Sequence, residues 1–156
     1  MPPVLFADSN VLIEALLIPQ SAAYVVAEMV ARGVFDIATC QICVTDTEDA
    51  IVGKLGQKPD DLDQAITNWE KLKKDIRLIV LEDPDSATVL ATRDKYLGVM
   101  RHKADIPVLA AALSMKPAPH VILSGNREHF NDAVAGRCGI KICSCQEFIE
   151  FISEAP

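Results

Sequence analysis

Three short polar clusters in this 156-residue chain stand where apolar segments end or a helical segment begins. Asp8-Ser9-Asn10 follows the apolar run Val4–Ala7, Asp105 precedes a segment opening Ile106-Pro107, and Ser124-Gly125-Asn126 follows Val121–Leu123. Each has a local reading. Asp or Asn at the start of a helix is a good N-cap, because its side-chain oxygen accepts from backbone N–H groups that the first turn leaves unpaired. The other reading is a ligand set. Carboxylates drawn into one cleft repel unless a cation lies between them. Hard oxygen donors with few soft partners suit Mg²⁺ or Mn²⁺, and such sites commonly activate water against phosphoesters.

The elements that must position these clusters alternate along the chain. A strand at 4–7 leads to a helix through Val11, Leu12 and Leu16, which Pro19 breaks. Ser21 caps a helix over 23–32, Gly33 ends it, and 35–38 reads as a strand. Thr45-Asp46-Thr47-Glu48 has capping-box spacing and opens a helix towards Leu55. After a turn at Gly56 and Lys58-Pro59-Asp60, a polar-faced helix covers 62–74 and carries Trp69. The second half gives a strand at 77–81, a helix from Asp83-Pro84-Asp85-Ser86 to about Met100, and a helix from Asp105 with Pro107 in its first turn. Strands at 121–123 and 140–143 follow, and the capping box Ser144-Cys145-Gln146-Glu147 opens the terminal helix. Strands alternating with helices pair in parallel through right-handed crossovers. The expectation is an α/β three-layer sandwich with about five strands, one domain over 1–156. Ligands of such sheets sit beyond the carboxyl ends of the strands, where the strand order reverses. All three clusters fall there.

Composition narrows the classes. Half of the residues are hydrophobic, enough for a core and against general disorder. Fifteen Lys and Arg against 22 Asp and Glu give a net charge of −7, so bulk charge does not attract nucleic acid. Aromatic residues at 5% argue against the stacking platforms of single-strand binders. No apolar run approaches the roughly 18 residues of a membrane span, and MPPVLFADSN lacks the basic start of a signal peptide. The expectation is a cytoplasmic protein without membrane contact. The spacing of Cys40, Cys43, Cys138, Cys143 and Cys145 is poor for zinc, and their odd number argues against a disulfide framework. They read as core thiols.

Four segments together resemble the PIN-domain family. VLFADSNVLIEALL is similar to the family's opening strand, which ends in Asp with Asn two residues on; HKADIPVLAAAL resembles its third-acid segment. VILSGNREHF resembles the fourth segment, and GIKICSCQEFIEFI the last strand and helix, so the matches run in family order from Val4 to Ile152. The resemblance implies a sheet order of 3-2-1-4-5 and a Mg²⁺- or Mn²⁺-dependent endoribonuclease, the toxin of a toxin–antitoxin pair. Its partners would be an RNA substrate, an antitoxin protein and a second copy in a homodimer. Asp8 would be the first acid and Asp105 the third. The second falls in Glu48-Asp49-Ala50, where Glu48 is engaged by the capping box, so Asp49 is the expected ligand. Asn126 stands where many relatives carry Asp, and Ser124 matches the family's hydroxyl. Glu48 and Glu128 are substitute ligands, and Lys103 and Arg127 would contact RNA phosphates. His102 and His129 read as surface histidines. The implied sheet order puts Cys40 and Cys43 on one side of the first strand and Cys143 and Cys145 on the other, which rules out a shared structural zinc.

Two other readings compete. A non-catalytic relative would keep the fold to bind a partner or RNA, and Asn126 favours it. A haloacid-dehalogenase-like phosphatase would use Asp8 as nucleophile, with SGNREHFND as its late motif. That chemistry wants an acid two residues later, where Asn10 cannot exchange a proton. The segment 21–32 presents Ala22, Ala23, Val25, Val26, Met29 and Val30, apolar enough for core on one face and interface on another.

Overall fold

Alternation within the first strand decides the layers. In β1 (Val4–Ala7), Leu5 and Ala7 enter one apolar cluster and Phe6 the opposite one, all fully buried. The structure, a computed structural model, describes residues 1–154. After β1 come α1 (Ser9–Leu17), α2 (Ala22–Ala31), β2 (Asp36–Cys40), α3 (Gln41–Leu55), α4 (Pro59–Asp75) and β3 (Ile79–Leu81). Then α5 (Ser86–Lys95), a 3₁₀ turn at Lys103–Asp105, α6 (Ile106–Leu113), β4 (Val121–Leu123), α7 (Asp132–Cys138), β5 (Lys141–Cys143) and α8 (Cys145–Glu154) follow. The five strands form one sheet, every pair parallel, in the order β3-β2-β1-β4-β5. One face buries Leu12, Val26, Trp69 and Phe148 from α1, α2, α4 and α8; the other buries Leu109 and Val134 from α6 and α7, with Tyr96 and Phe130. This is the α/β three-layer sandwich and strand order expected from the sequence.

The direction of the chain from β1 fixes where a site can lie. It steps to β2 on one side, and later to β4 on the other, so β1 is the switch point. Leu5 pairs with Val121 and Ala7 with Leu123, which brings the residues after Ala7 and Leu123 side by side at the carboxyl edge. Cys40 and Cys143 end strands on opposite sides of β1, three strand spacings or about 14 Å apart. No single helix among the described residues is long and apolar enough to cross a membrane.

Three boundaries and one helix depart from expectation, each for a visible reason. The helix expected to open at Thr45 opens at Gln41, directly after β2. Its N-cap, Cys40, gives no side-chain cap; instead Asp83, from beyond β3, accepts the Ile42 N–H at 2.9 Å. Thr45 is thus inside α3, and Glu48 takes no part in a capping box. The strand expected from Arg77 begins at Ile79, because Arg77 has the left-handed φ of 48°. The helix expected to reach Met100 stops at Lys95, and Gly98 turns the chain at φ 87°. Sequence reading missed α7, which Asn131 caps by accepting from the Val134 N–H at 3.0 Å.

The second capping box forms as expected. Glu147 Oε1 accepts from the Ser144 N–H at 2.9 Å, and Ser144 Oγ from the Glu147 N–H at 3.1 Å. The Ser144 amide first, and then Arg127, hold the Glu147 carboxyl below its ordinary value. A carboxyl lowered on folding adds stability that is intact above the unfolded value of about 4.3 and fades as pH falls through the folded one. Glu147→Gln keeps the cap but loses this charge. Urea unfolding should therefore show the variant less stable than wild type at pH 7, with the gap closing below pH 4. A pH-independent gap would overturn the assignment.

Candidate functional site

Asp8 follows β1 directly and lies inside the protein, only 6% exposed. Its extended backbone (φ −74°, ψ 162°) makes it the N-cap of α1, and its Oδ1 accepts from the Ser9 N–H at 2.8 Å. The cap reading is correct but incomplete, because the second oxygen faces the neighbouring strand. Oδ2 accepts from Ser124 Oγ at 2.9 Å and from Asn10 Nδ2 at 3.2 Å, and the Cys43 thiol lies 3.8 Å from Oδ1. Burial raises the Asp8 carboxyl above its ordinary value and nearby Asp105 adds to this, while the bonds from Ser9, Ser124 and Cys43 work against it.

The β4 exit is tied to the same acid. Ser124 is fully buried, and its oxygen also accepts from the Asn126 N–H at 3.1 Å. Asn10 spans the gap, accepting from the Gly125 N–H at 2.7 Å. A Cβ on Gly125 would stand 3.3 Å from Asn10 Oδ1, so the absence of a side chain permits the approach. Both ends of the Asn10 amide are engaged, and it has no acid function to offer a phosphatase mechanism.

Asp105 takes a different route. It closes the 3₁₀ turn and precedes α6, yet its side chain caps nothing. Oδ2 is buried, lies 2.7 Å from His129 Nδ1 and 3.6 Å from His102 Nδ1, and accepts no hydrogen bond. His129 Nδ1 also lies 2.9 Å from Asn126 Nδ2. His102 and His129 are therefore not ordinary surface histidines: their rings stack at 4.4 Å over the acid. A buried acid and a second acid whose charge it senses stand at one edge of the sheet. Asp8, Asp105 and the Asn126 amide are the oxygen donors there that could hold a divalent cation.

The remaining expected residues separate. Glu48 accepts from Trp69 Nε1 at 3.0 Å and faces Lys73 at 3.9 Å, so it serves the α3–α4 contact. Asp49 is exposed on α3, and so is Asp46, a residue that sequence reasoning did not single out; the Asp46 carboxyl is raised by the burial it has and then by Asp49. Cys43 points to Asp8; at 100° per residue Asp46 is about 60° round the helix from it and Asp49 about 120°. Placing the helix start at Gln41 would have revealed this phase. Glu128 is exposed, as is Lys103, which makes no ion pair among the described residues. Arg127 is not available for phosphates as expected. Its guanidinium binds Glu147 at 3.1 Å, Asp132 at 2.6 Å and the Phe130 carbonyl, fastening β4's exit to α7 and α8.

Removing a donor tests the network directly. Ser124→Ala leaves Asp8 Oδ2 with Asn10 alone, and a hydrogen bond to a buried charge is worth about 1.5–3 kcal/mol. Denaturant unfolding at neutral pH without divalent ions should show that loss, whereas Ser124→Thr, which keeps the hydroxyl, should recover part of it.

No family model matches the chain, and no curated protein matches it in sequence. Solved structures do. VapBC2 from Rickettsia felis, bound to a DNA fragment from its promoter, shares 13% identity at a TM-score of 0.63, over 90% of this chain and 98% of that one. PAE2754 from Pyrobaculum aerophilum shares 16% identity at 0.64, over 99% and 100%. FitAcB from Neisseria gonorrhoeae shares 15% at 0.64, over 91% and 98%. Identities this low speak to fold, and the fold agrees with the segments that resembled a family in sequence: the chain has the PIN-domain fold.

Proposed function

We propose that this chain is a Mg²⁺- or Mn²⁺-dependent endoribonuclease acting as the toxin of a toxin–antitoxin pair. The observation that carries the reading is the buried Asp8 carboxylate at the β1–β4 switch point, which senses the charge of Asp105, an acid whose own Oδ2 is buried and accepts no hydrogen bond. A divalent ion bound there would polarise the scissile phosphate and ease deprotonation of the attacking water. Asp8 and Asp105 would hold the ion by charge. Ser124 and Asn10 fix the rotamer of Asp8, so that its position does not depend on solvent. Asn126 supplies an amide oxygen where a carboxylate would bind more strongly. Asp46 is our choice for the acid from the α3 side, ahead of Asp49, and Lys103 offers positive charge to the RNA backbone.

The partner reading has separate support. Two of the structures named above, VapBC2 and FitAcB, are toxin–antitoxin proteins. Between α1, α2 and α4 lies a cavity of about 550 Å³, with Leu16, Tyr24 and Leu72 as apolar lining and Glu28, Arg32 and Lys71 around them. An antitoxin segment with an apolar stripe and mixed charge would suit it. The cytoplasm is the compartment this function requires. A homodimer would cover the apolar side chains that β3 leaves exposed, Ile79 and Val80.

Cleavage of mixed RNAs across a metal series is the deciding measurement. Wild type should cut with Mg²⁺ or Mn²⁺ and not with EDTA. Asp8→Asn and Asp105→Asn should each lose about a hundredfold or more, the scale of the charge stabilisation a metal supplies. Asp46→Asn should cost more than Asp49→Asn, and Glu48→Gln little. Asn126→Asp adds a charged ligand, so its activity curve should shift to lower metal concentration. If neither wild type nor Asn126→Asp cuts RNA with any metal, the nuclease reading fails and the partner-binding relative takes its place.

A further inference from the structure

The imidazoles over Asp105 form a second kind of ligand set. His102 Nδ1, Asp105 Oδ2 and His129 Nδ1 lie within 4.8 Å of one another, from the segment before the 3₁₀ turn, its last residue, and the loop after β4. With His129 protonated the contact is an ion pair, and a metal ion would take the place of that proton. Where the Asn126 amide donates to His129 Nδ1, that nitrogen carries no proton, and a carboxylate oxygen stands 2.7 Å away. With the amide turned over, Nδ1–H donates to Asn126 instead, and Asp105 Oδ2 is still without a proton. The neutral ring thus gives the buried carboxylate oxygen no proton in either arrangement. The oxygen is shielded from water as well, so solvent does not relieve the contact.

We propose that His102, Asp105 and His129 bind a divalent transition-metal ion of the Zn²⁺ class through the two Nδ1 atoms and Asp105 Oδ2. The composition sets the class: two imidazoles and one carboxylate suit Zn²⁺, Co²⁺ or Ni²⁺, whereas Mg²⁺ favours oxygen ligands. Tetrahedral ligands at about 2.0–2.1 Å from zinc stand roughly 3.3 Å apart, and the observed contacts of 2.7 and 3.6 Å bracket that spacing. His102 is 59% exposed and free to turn, so closing the set needs movement of a surface side chain and not of the backbone. A cavity of about 460 Å³ opens beside the rings, with Arg101, Glu128 and Asn131 in its wall, and leaves the ion's fourth position accessible to water or an anionic ligand. Three protein ligands and one open position are the pattern of a reactive rather than a purely structural zinc site. The site uses the Asp105 oxygen that the acid pair would also use, so the two ions would compete for it, but the site does not require that the chain cleave RNA.

The test is spectroscopic and uses the full chain without a polyhistidine tag. Titration with Co²⁺ should give the intense visible bands of tetrahedral cobalt at one equivalent. Zn²⁺ should bleach them at one equivalent, and Mg²⁺, which would compete for Asp105 alone, should not do so at equal concentration. His102→Gln and His129→Gln should each weaken Zn²⁺ binding, measured against a competing chelator, by about tenfold or more, while melting curves without metal show both variants folded. Asp8→Asn should retain the cobalt spectrum. An octahedral spectrum, or affinity unchanged in both histidine variants, overturns the proposal. Loss of binding in Asp8→Asn with none in the histidine variants also overturns it, by placing the ion among the acids, and leaves the nuclease reading intact.

Discussion

The hydrogen bond from Ser124 to Asp8 joins the two halves of this molecule at its most demanding point. Asp8 is a nearly buried carboxylate at the end of the central strand. An acid in that place is costly unless donors surround it. The chain supplies them from three sources: the first amide of α1, Asn10 as the second residue of the same helix, and Ser124, directly after β4 and 116 residues away. The last is available only because β4 pairs with β1 in the register that sets Ala7 beside Leu123. Strand pairing and acid solvation are thus one constraint. A one-residue slip of β4 would turn Ser124 to the other face and strip Asp8 of its buried donor.

The same constraint explains how the surrounding loops divide their labour. Gly125 is bare so that Asn10 can reach its amide, and Asn126 is held by Ser124. Arg127, next in sequence, turns away and fastens the loop to α7 and α8 through Asp132 and Glu147. Glu147 at the same time closes the capping box of α8. One loop therefore carries site residues on one side and structural ties on the other, and the ties hold the site residues still. Charge alone does not separate the two groups; partners do.

What the sequence reveals follows from where each signal is stored. The strand order, β1, β4 and the box at Ser144–Glu147 rest on local periodicity, local capping and a resemblance in order along the chain, and all were legible. Asp8, Ser124, Asn126 and Asp105 were legible as a group because each sits at a strand's exit or a helix's start. The opening of α3 was not, because its cap comes from Asp83, 41 residues downstream, while Thr45 and Glu48 imitate a box that does not form. That false start also displaced the phase of the helix and hid Asp46. The pairing of His102 with His129 was hidden for the same reason: the residues are 27 apart in sequence, and only the docking of the β4 exit onto the start of α6 stacks them.

Asp105 shows how a fold can hold a function open without a dedicated motif. A helix that starts Ile-Pro has no first-turn amide at proline and little need of a side-chain cap. Relieved of capping, Asp105 keeps both oxygens for other partners. Asp8 senses its charge on one side, and two imidazoles crowd it on the other. Asn126 belongs to both sides, with its backbone on Ser124 and its side chain on His129. The amide thereby couples the exit of β4 to an imidazole on one side and, through Ser124, to the buried acid on the other.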